Sequence, residues 1–244
     1  MEYLNLHSPI FFRHGWRKYL LATIALSLVM FSASSKAAAG SVAEALTSGK
    51  VYGDIRLRYE SVDQDNPLDD ATALTVRTRL GYSTGSYEGF SALVEFEDSR
   101  IVAGVADFSV PPIGFNLGSS IIADPETTEI DQGYIQYKNS LVTARVGAQV
   151  IALDNQRFIG HVGWRQDRVT FDAVSATFTP TDKLKITAAH LFERNRIFGE
   201  VLDQESKDNI VNITYPTNIG KLNAYAYLLE DDFGTNISRD TYGL

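Results

Sequence analysis

A side-chain period of two constrains this chain more than any other feature. In Leu141–Val150 (LVTARVGAQV), Val142, Ala144, Val146, Ala148 and Val150 alternate with Thr143, Arg145, Gly147 and Gln149. Successive side chains of a strand point to opposite faces, so this is a ribbon with one apolar and one wet face. Ten residues suffice for a tilted membrane crossing, which takes roughly 9–11. The pattern predicts strands over Lys50–Glu60, Thr72–Thr84, Phe90–Glu97, Glu129–Lys138, Leu141–Val150, Val169–Phe178, Lys183–Glu193, Lys207–Tyr215 and Lys221–Glu230, with a tenth starting at Asp240. The connections alternate between long (Asp98–Thr128, Ile151–Arg168, Arg194–Ser206, Asp231–Arg239) and short (Gly85–Gly89, Asn139-Ser140, Thr179–Asp182, Pro216–Gly220). Transmembrane barrels have short turns on one side and long loops on the other, whereas a sandwich gives no reason for strict alternation. The expected fold is all-β: an antiparallel transmembrane β-barrel of the outer-membrane porin type, with about nine to ten strands of a larger barrel. The sixth, seventh and ninth strands alternate less cleanly. Val174, Ala176 and His190 fall against the phase, which a β-bulge could restore.

The N-terminus reads as an export signal. Arg13, Arg17 and Lys18 precede the apolar run Tyr19–Phe31, and Ser35-Lys36-Ala37 and Ala37-Ala38-Ala39 offer small-x-small cleavage sites. The expected organisation is a signal peptide over 1–39 and a partial barrel over 40–244. Without cysteine the chain has no disulfides and no thiolate metal sites. The formal charge of −8 becomes −11 once the leader's net +3 is removed, which leaves no basic surplus for nucleic acid. The mature chain has two histidines, His161 and His190, and nothing groups either with an acid and a nucleophile. No enzyme, cofactor or metal site is therefore expected.

The wet face carries the candidate site. If the apolar face meets lipid, then Arg56, Arg58, Arg77, Arg79, Arg145 and Gln149 point into the lumen beside Glu95 and Glu97. Guanidinium forks pair bidentately with carboxylates. Such a row suits an anionic or carbohydrate solute, and it equally suits a general pore whose charges bind nothing tightly. Loop Ile151–Arg168 combines Arg157 and Arg165 with Phe158 and Trp164, the mature chain's only tryptophan. Apolar surface costs roughly 25 cal/mol per Å² in water, so the loop is expected to turn inward and constrict the pore, its arginines meeting Glu95 and Glu97. Packing on the barrel rim is the other reading.

The segments EALTSGKVYGDIRLRYESVDQD, RTRLGYSTGSYEGFSALVEFED, IDQGYIQYK, LDNQRFIGHVGWRQDRVTFDAV and NRIFGE, between Glu44 and Gly199, cover about two-thirds of the chain. They resemble the alginate-export family of outer-membrane proteins. The resemblance implies a large single-chain barrel whose arginine-rich lumen passes an anionic polyuronate such as alginate. By the same resemblance Arg56, Arg58, Arg77, Arg79 and Arg145 line the lumen, while Arg157 and Arg165 belong to a constricting loop. Family barrels close with a final strand ending in an aromatic residue; ending at Leu244, this chain reads as about half a barrel. The expected partners are outer-membrane lipid and lipopolysaccharide, the solute, and the barrel-assembly machinery during insertion. A plugged, receptor-like or adhesive barrel is the alternative function.

Overall fold

A computed structural model describes residues 39–232 and 236–244. The signal peptide expected over 1–39 lies outside the described residues except for Ala39. The described chain opens with helix α1 (Val42–Thr47), whose N-cap Ser41 accepts from the Glu44 amide. The helix leans on the first short turn: the Gly85 amide donates to Ala45 O at 2.8 Å, and the Tyr82 hydroxyl donates to Leu46 O.

Ten strands then form one antiparallel sheet. They are β1 (Lys50–Val62), β2 (Ala71–Ser83), β3 (Phe90–Asp107), β6 (Thr127–Lys138), β7 (Val142–Gln149), β8 (Thr170–Phe178), β9 (Lys185–Asn195), β10 (Gln204–Thr217), β11 (Gly220–Asp232) and β12 (Asn236–Gly243). Each pairs with the strand before and after it, with β1 and β12 at the two edges. The connection between β3 and β6 carries a small hairpin of β4 (Ser109–Val110) and β5 (Gly114–Phe115).

The faces are inverted relative to a water-soluble sheet. Ile55, Leu57 and Tyr59 are each about two-thirds exposed or more, and Leu80, Ile135 and Val146 are exposed as well. Arg77, Arg79, Glu95, Glu97 and Gln149, on the opposite face, are buried. An apolar band facing out over a polar interior is the arrangement of a transmembrane barrel wall.

Every strand differs from its expected bounds at one end or both. The third runs ten residues beyond Glu97, to Asp107, so the connection that follows is shorter than Asp98–Thr128. The eighth begins at Gln204, the seventh at Lys185, and the tenth at Asn236, inside what was expected to be a loop. Ladder hydrogen bonds are made by backbone, so a strand can continue where its side chains lose the apolar–polar alternation. Within β3, Ala103 and Gly104 take positive φ (54° and 71°) where the register with β2 shifts between Ala73 and Thr75.

The imperfect alternation of β8 and β9 comes from the β7–β8 loop, which covers their inner face so that both faces carry apolar residues. The β8–β9 register shifts between Asp172 and Ala173. Val174 and Phe178 lie on the exposed face, while Phe171 and Ala173 are buried on the other. His190 lies beside Phe192, its Nδ1 3.0 Å from Asn209 Oδ1. In β6 a shift at Glu95/Phe96 of the partner strand leaves Asp131 as the extra residue, so Ile130 and Ile135, five apart, are both exposed.

The inner face is not uniformly wet. Ile151, Leu153 and Ile159 of the β7–β8 loop pack with Phe171, Ala173, Ala189, Leu191, Ile210, Tyr227 and Leu229 of β8–β11. A second cluster joins Ala71 and Ala73 of β2 to Phe108, Val110 and Ile122 of the β3–β6 connection. Fully burying one such large side chain contributes about 1.5–3 kcal/mol, enough to hold a connection against its sheet.

The inversion of faces has a direct test. Replacing Ile135 with Arg on the exposed face should destabilise the lipid-inserted protein by about 2–4 kcal/mol in denaturant unfolding from bilayers. A change within about 0.5 kcal/mol, as expected at a water-exposed position, would contradict the assignment.

Candidate functional site

The register of β1–β3 and β6 juxtaposes like charges. Arg56 stands directly across from Arg77, and Glu97 across from Glu129. Side chains so placed have Cβ atoms about 4.5–5.5 Å apart, and like charges there are destabilising unless offset. Part of the offset lies within the sheet: Arg79 is directly across from Glu97 and donates to it, and Arg77 donates to Asp54.

The remainder comes from the β7–β8 loop. Gln166, fully buried, is its centre. Its Oε1 accepts from Arg56 Nε at 3.0 Å, its Nε2 donates to Thr75 Oγ1 at 2.8 Å, and its amide donates to Asp124 Oδ1 at 2.8 Å. Its carbonyl oxygen is within 3.4 Å of Arg77 Nη1 and 3.5 Å of Arg79 Nη2. Arg56 Nη1 donates to Gly163 O at 3.1 Å, and Arg58 Nη1 to Trp164 O at 2.5 Å. A loop that leaves the sheet at β7 thus docks on β1 and β2.

Ion pairs extend this cluster. Arg165 Nη1 lies 3.0 Å from Glu60 Oε2 and 3.6 Å from Asp124 Oδ2; Arg58 lies 2.5 Å from Glu60 and 3.5 Å from Asp124. Arg168 grips Asp131 through Nη2 at 2.5 Å and Nε at 3.2 Å, and also donates to Glu95. The Trp164 ring faces two guanidiniums, those of Arg165 at 4.1 Å and Arg58 at 5.2 Å. Such contacts are worth about 0.5–1 kcal/mol at exposed sites and more when desolvated.

Asp167 completes the group. Burial pushes its carboxyl well above the usual aspartate range, and Glu129, Glu97 and Asp131 push it the same way.

The expected site residues therefore divide. Arg56, Arg58, Arg77, Arg79, Glu95, Glu97 and Arg165 come together in one network. Arg165 meets Glu60 and Asp124 rather than Glu95 and Glu97, which are taken by Arg168 and Arg79. Arg157 stays exposed over the Phe158 ring, at 5.6 Å, and joins no ion pair among the described residues. Arg145 lies apart, donating to Gln136 at 2.9 Å and covering the Tyr134 ring at 4.8 Å. Gln149 is bound into the wall: its amide nitrogen donates to Ala173 O and its oxygen accepts from Ser175. Trp164 lies against Arg58 on the polar face, not on an outer aromatic girdle.

Sequence reasoning missed Gln166, Arg168, Asp124 and Asp131. The odd spacing of Ile130 and Ile135 is a signal for Asp131, because it demands a bulge. Asp124, between Ala123 and Pro125, carries no signal of its own.

This geometry is that of a porin-type outer-membrane barrel wall with a loop docked on its polar face. The chain belongs to the alginate export family, whose model matches residues 48–191. Its fold is also that of the crystal structure of Acinetobacter baumannii OccAB1, at 14% identity and a TM-score of 0.58, over 77% of this chain and 46% of that one. Pseudomonas aeruginosa OccD3 (OpdP) matches at 12% identity and a TM-score of 0.48, over 81% of this chain and 53% of that one. The chain thus spans about half the length of these barrels. No curated protein gives a significant match. Family and fold together support an outer-membrane location.

Two measurements test the site. Gln166→Ala leaves Arg56 Nε and Thr75 Oγ1 short of a partner, at a cost of about 1–3 kcal/mol. Amides of 160–168 should lose hydrogen-exchange protection while those of β1 and β2 keep theirs. The raised Asp167 pKa sets a sign: the docked loop prefers the protonated acid. Undocked, the carboxyl titrates near about 4, so docking is fully favoured below that pH and weakens as pH rises toward the docked value. A spin label at Ala152 should become more mobile as pH rises, and Asp167→Asn should flatten that response.

Proposed function

We propose that the protein is an outer-membrane channel passing anionic or sugar-like solutes, polyuronates such as alginate among them, with no enzymatic step. The observation that carries this reading is the docking of loop Ile151–Arg168 through Gln166 onto Arg56, Arg77 and Arg79, on the face opposite the apolar band. A docked loop narrows the path without filling a whole barrel, and the arginine network beside it presents guanidinium edges to a passing carboxylate. Six arginines (Arg56, Arg58, Arg77, Arg79, Arg165, Arg168) stand among eight carboxylates (Asp54, Glu60, Glu95, Glu97, Asp124, Glu129, Asp131, Asp167). Most of their charge is met by protein, so the solute is expected to bind weakly and leave easily. Export by a cleaved leader over residues 1–39 belongs to the same proposal.

The closed ion-pair network also favours a second reading, a plugged barrel serving as receptor or adhesin. Planar-bilayer recordings separate the two. On the channel reading the full-length protein conducts, deletion of Asn155–Gln166 raises single-channel conductance, and Arg→Ala at Arg56, Arg58, Arg77 and Arg79 reduces anion preference. Silence in both wild type and deletion would refute the channel and leave the plugged barrel.

A further inference from the structure

Aromatic side chains mark the membrane's edge on the short-turn side of the wall. Tyr82 of β2, Phe90 of β3, Tyr137 of β6, Phe178 of β8 and Tyr215 of β10 each lie within three residues of a strand end. By strand alternation they stand on the apolar face, the side of exposed Leu80 and Ile135. Phe90 is directly across from Tyr137, and the two rings pack with centroids 4.9 Å apart. Such belts sit at the headgroup level of a bilayer, and short turns are periplasmic in outer-membrane barrels. The belt therefore marks the inner, phospholipid leaflet.

Helix α1 is tied to this belt. Six residues make a helix that is marginal by itself, and α1 is held from outside at both ends. Before it, the Ala39 amide donates to Ser86 O at 2.8 Å. At its C-terminal end the Gly85 amide takes Ala45 O at 2.8 Å, and the hydroxyl of Tyr82, a belt residue, takes Leu46 O. A Cβ at Gly85 would meet Ser48 Oγ at 2.5 Å, so turn and helix are fitted to each other. Ala45 is the buried side of the helix, at 6% exposure. Val42 and Leu46, one turn apart and so on one face, are 58% and 57% exposed. Glu44 and Thr47 fall on the other side of the helix.

We propose that α1 is an interfacial helix, lying along the inner-leaflet surface with Val42 and Leu46 in phospholipid and Glu44 and Thr47 toward water. A single exposed apolar side chain needs no explanation on a protein surface, whereas this pair shares one helical face at the level of the belt. Continuity with the lipid-facing wall assigns the face to lipid rather than to a protein partner. Tyr82, which holds the helix, stands between Val51 of β1 and Val94 of β3 on the apolar side. The apolar surface thus runs unbroken from the strands to the helix. Because α1 leads into β1 and is bonded to β2, it sets the depth of the hairpin that carries Arg56 and Arg77. The inference rests on the barrel reading, in which the apolar band meets lipid.

The chain has no cysteine, so each single-cysteine variant takes one nitroxide label. Full-length protein labelled at Val42→Cys, Leu46→Cys, Thr47→Cys, Ile135→Cys or Asp182→Cys is placed in vesicles of phosphatidylethanolamine and phosphatidylglycerol. Paramagnetic resonance then compares collision with oxygen, which enters lipid, and with a water-soluble nickel chelate. Ile135, exposed in the apolar band, sets the lipid limit, and Asp182, exposed in a short turn, the water limit. The oxygen-to-nickel ratio at Val42→Cys and Leu46→Cys should lie several-fold above that at Thr47→Cys and Asp182→Cys. Ratios at both helix positions equal to that of Asp182→Cys overturn the interfacial helix. Labels there that neither reagent reaches overturn it as well, since a protein then covers the face. Failure of the barrel reading shows separately, as an Ile135→Cys label with the ratio of Asp182→Cys. Heat-modified gel mobility selects folded variants, and either helix position alone decides, because the two share one face.

Discussion

Arg56 faces Arg77 across the first two strands, and the inner side of the barrel wall is built around that opposition. Two guanidiniums so placed need acceptors that the sheet alone does not supply. The β7–β8 loop brings them as neutral groups, the Gln166 side-chain and main-chain oxygens and the Gly163 carbonyl, while the Trp164 carbonyl and Asp124 serve the neighbouring Arg58. Removing one partner from a buried network leaves an uncompensated charge, at a cost larger than the pair's own net worth. The loop, Asp124 and the strand arginines are therefore held or released together.

The loop has two halves with different physics. Ile151, Leu153 and Ile159 bury apolar surface on β8–β11 without directional demands. Gly163–Arg168 supplies donors and acceptors to β1, β2, β3 and β6, where position is everything. The first half fixes where the loop crosses the sheet and the second fixes its register. Phe158 and Trp164, the two bulky aromatics noted in the sequence, serve opposite halves: one packs at a tilt against tyrosines, the other receives guanidiniums.

Much of this was legible in the residues. Period-two alternation placed the strands, their meandering order and the lipid-facing side, because a membrane wall forces apolar side chains outward at every second position. Alternation failed at strand ends, where β3 beyond Glu97 carries the consecutive apolar residues Ile101, Val102 and Ala103 and breaks the period of two although the backbone ladder continues. It failed again on β8 and β9, where Phe171 and Leu191 are apolar because a loop covers them, not because lipid does. The network arginines could be assigned a face but not partners. Arg165 and Arg168 lie three residues apart in a loop without a repeat, and which acid each meets depends on the loop's crossing path. Gln166 carried no charge to draw notice, though it makes more of the decisive contacts than any arginine.

The central claim, that Gly163–Arg168 docks on the polar face of β1 and β2, is tested most directly by proximity in the native membrane. The chain has no cysteine, so Thr75→Cys with Gln166→Cys introduces a single thiol pair. Treating isolated outer membranes with a short bifunctional thiosulfonate should join the two positions within one chain, seen as a mobility shift reversed by reductant. If the Gln166→Cys thiol instead reacts freely with a membrane-impermeant maleimide and never joins Thr75→Cys, the loop does not lie where this account puts it.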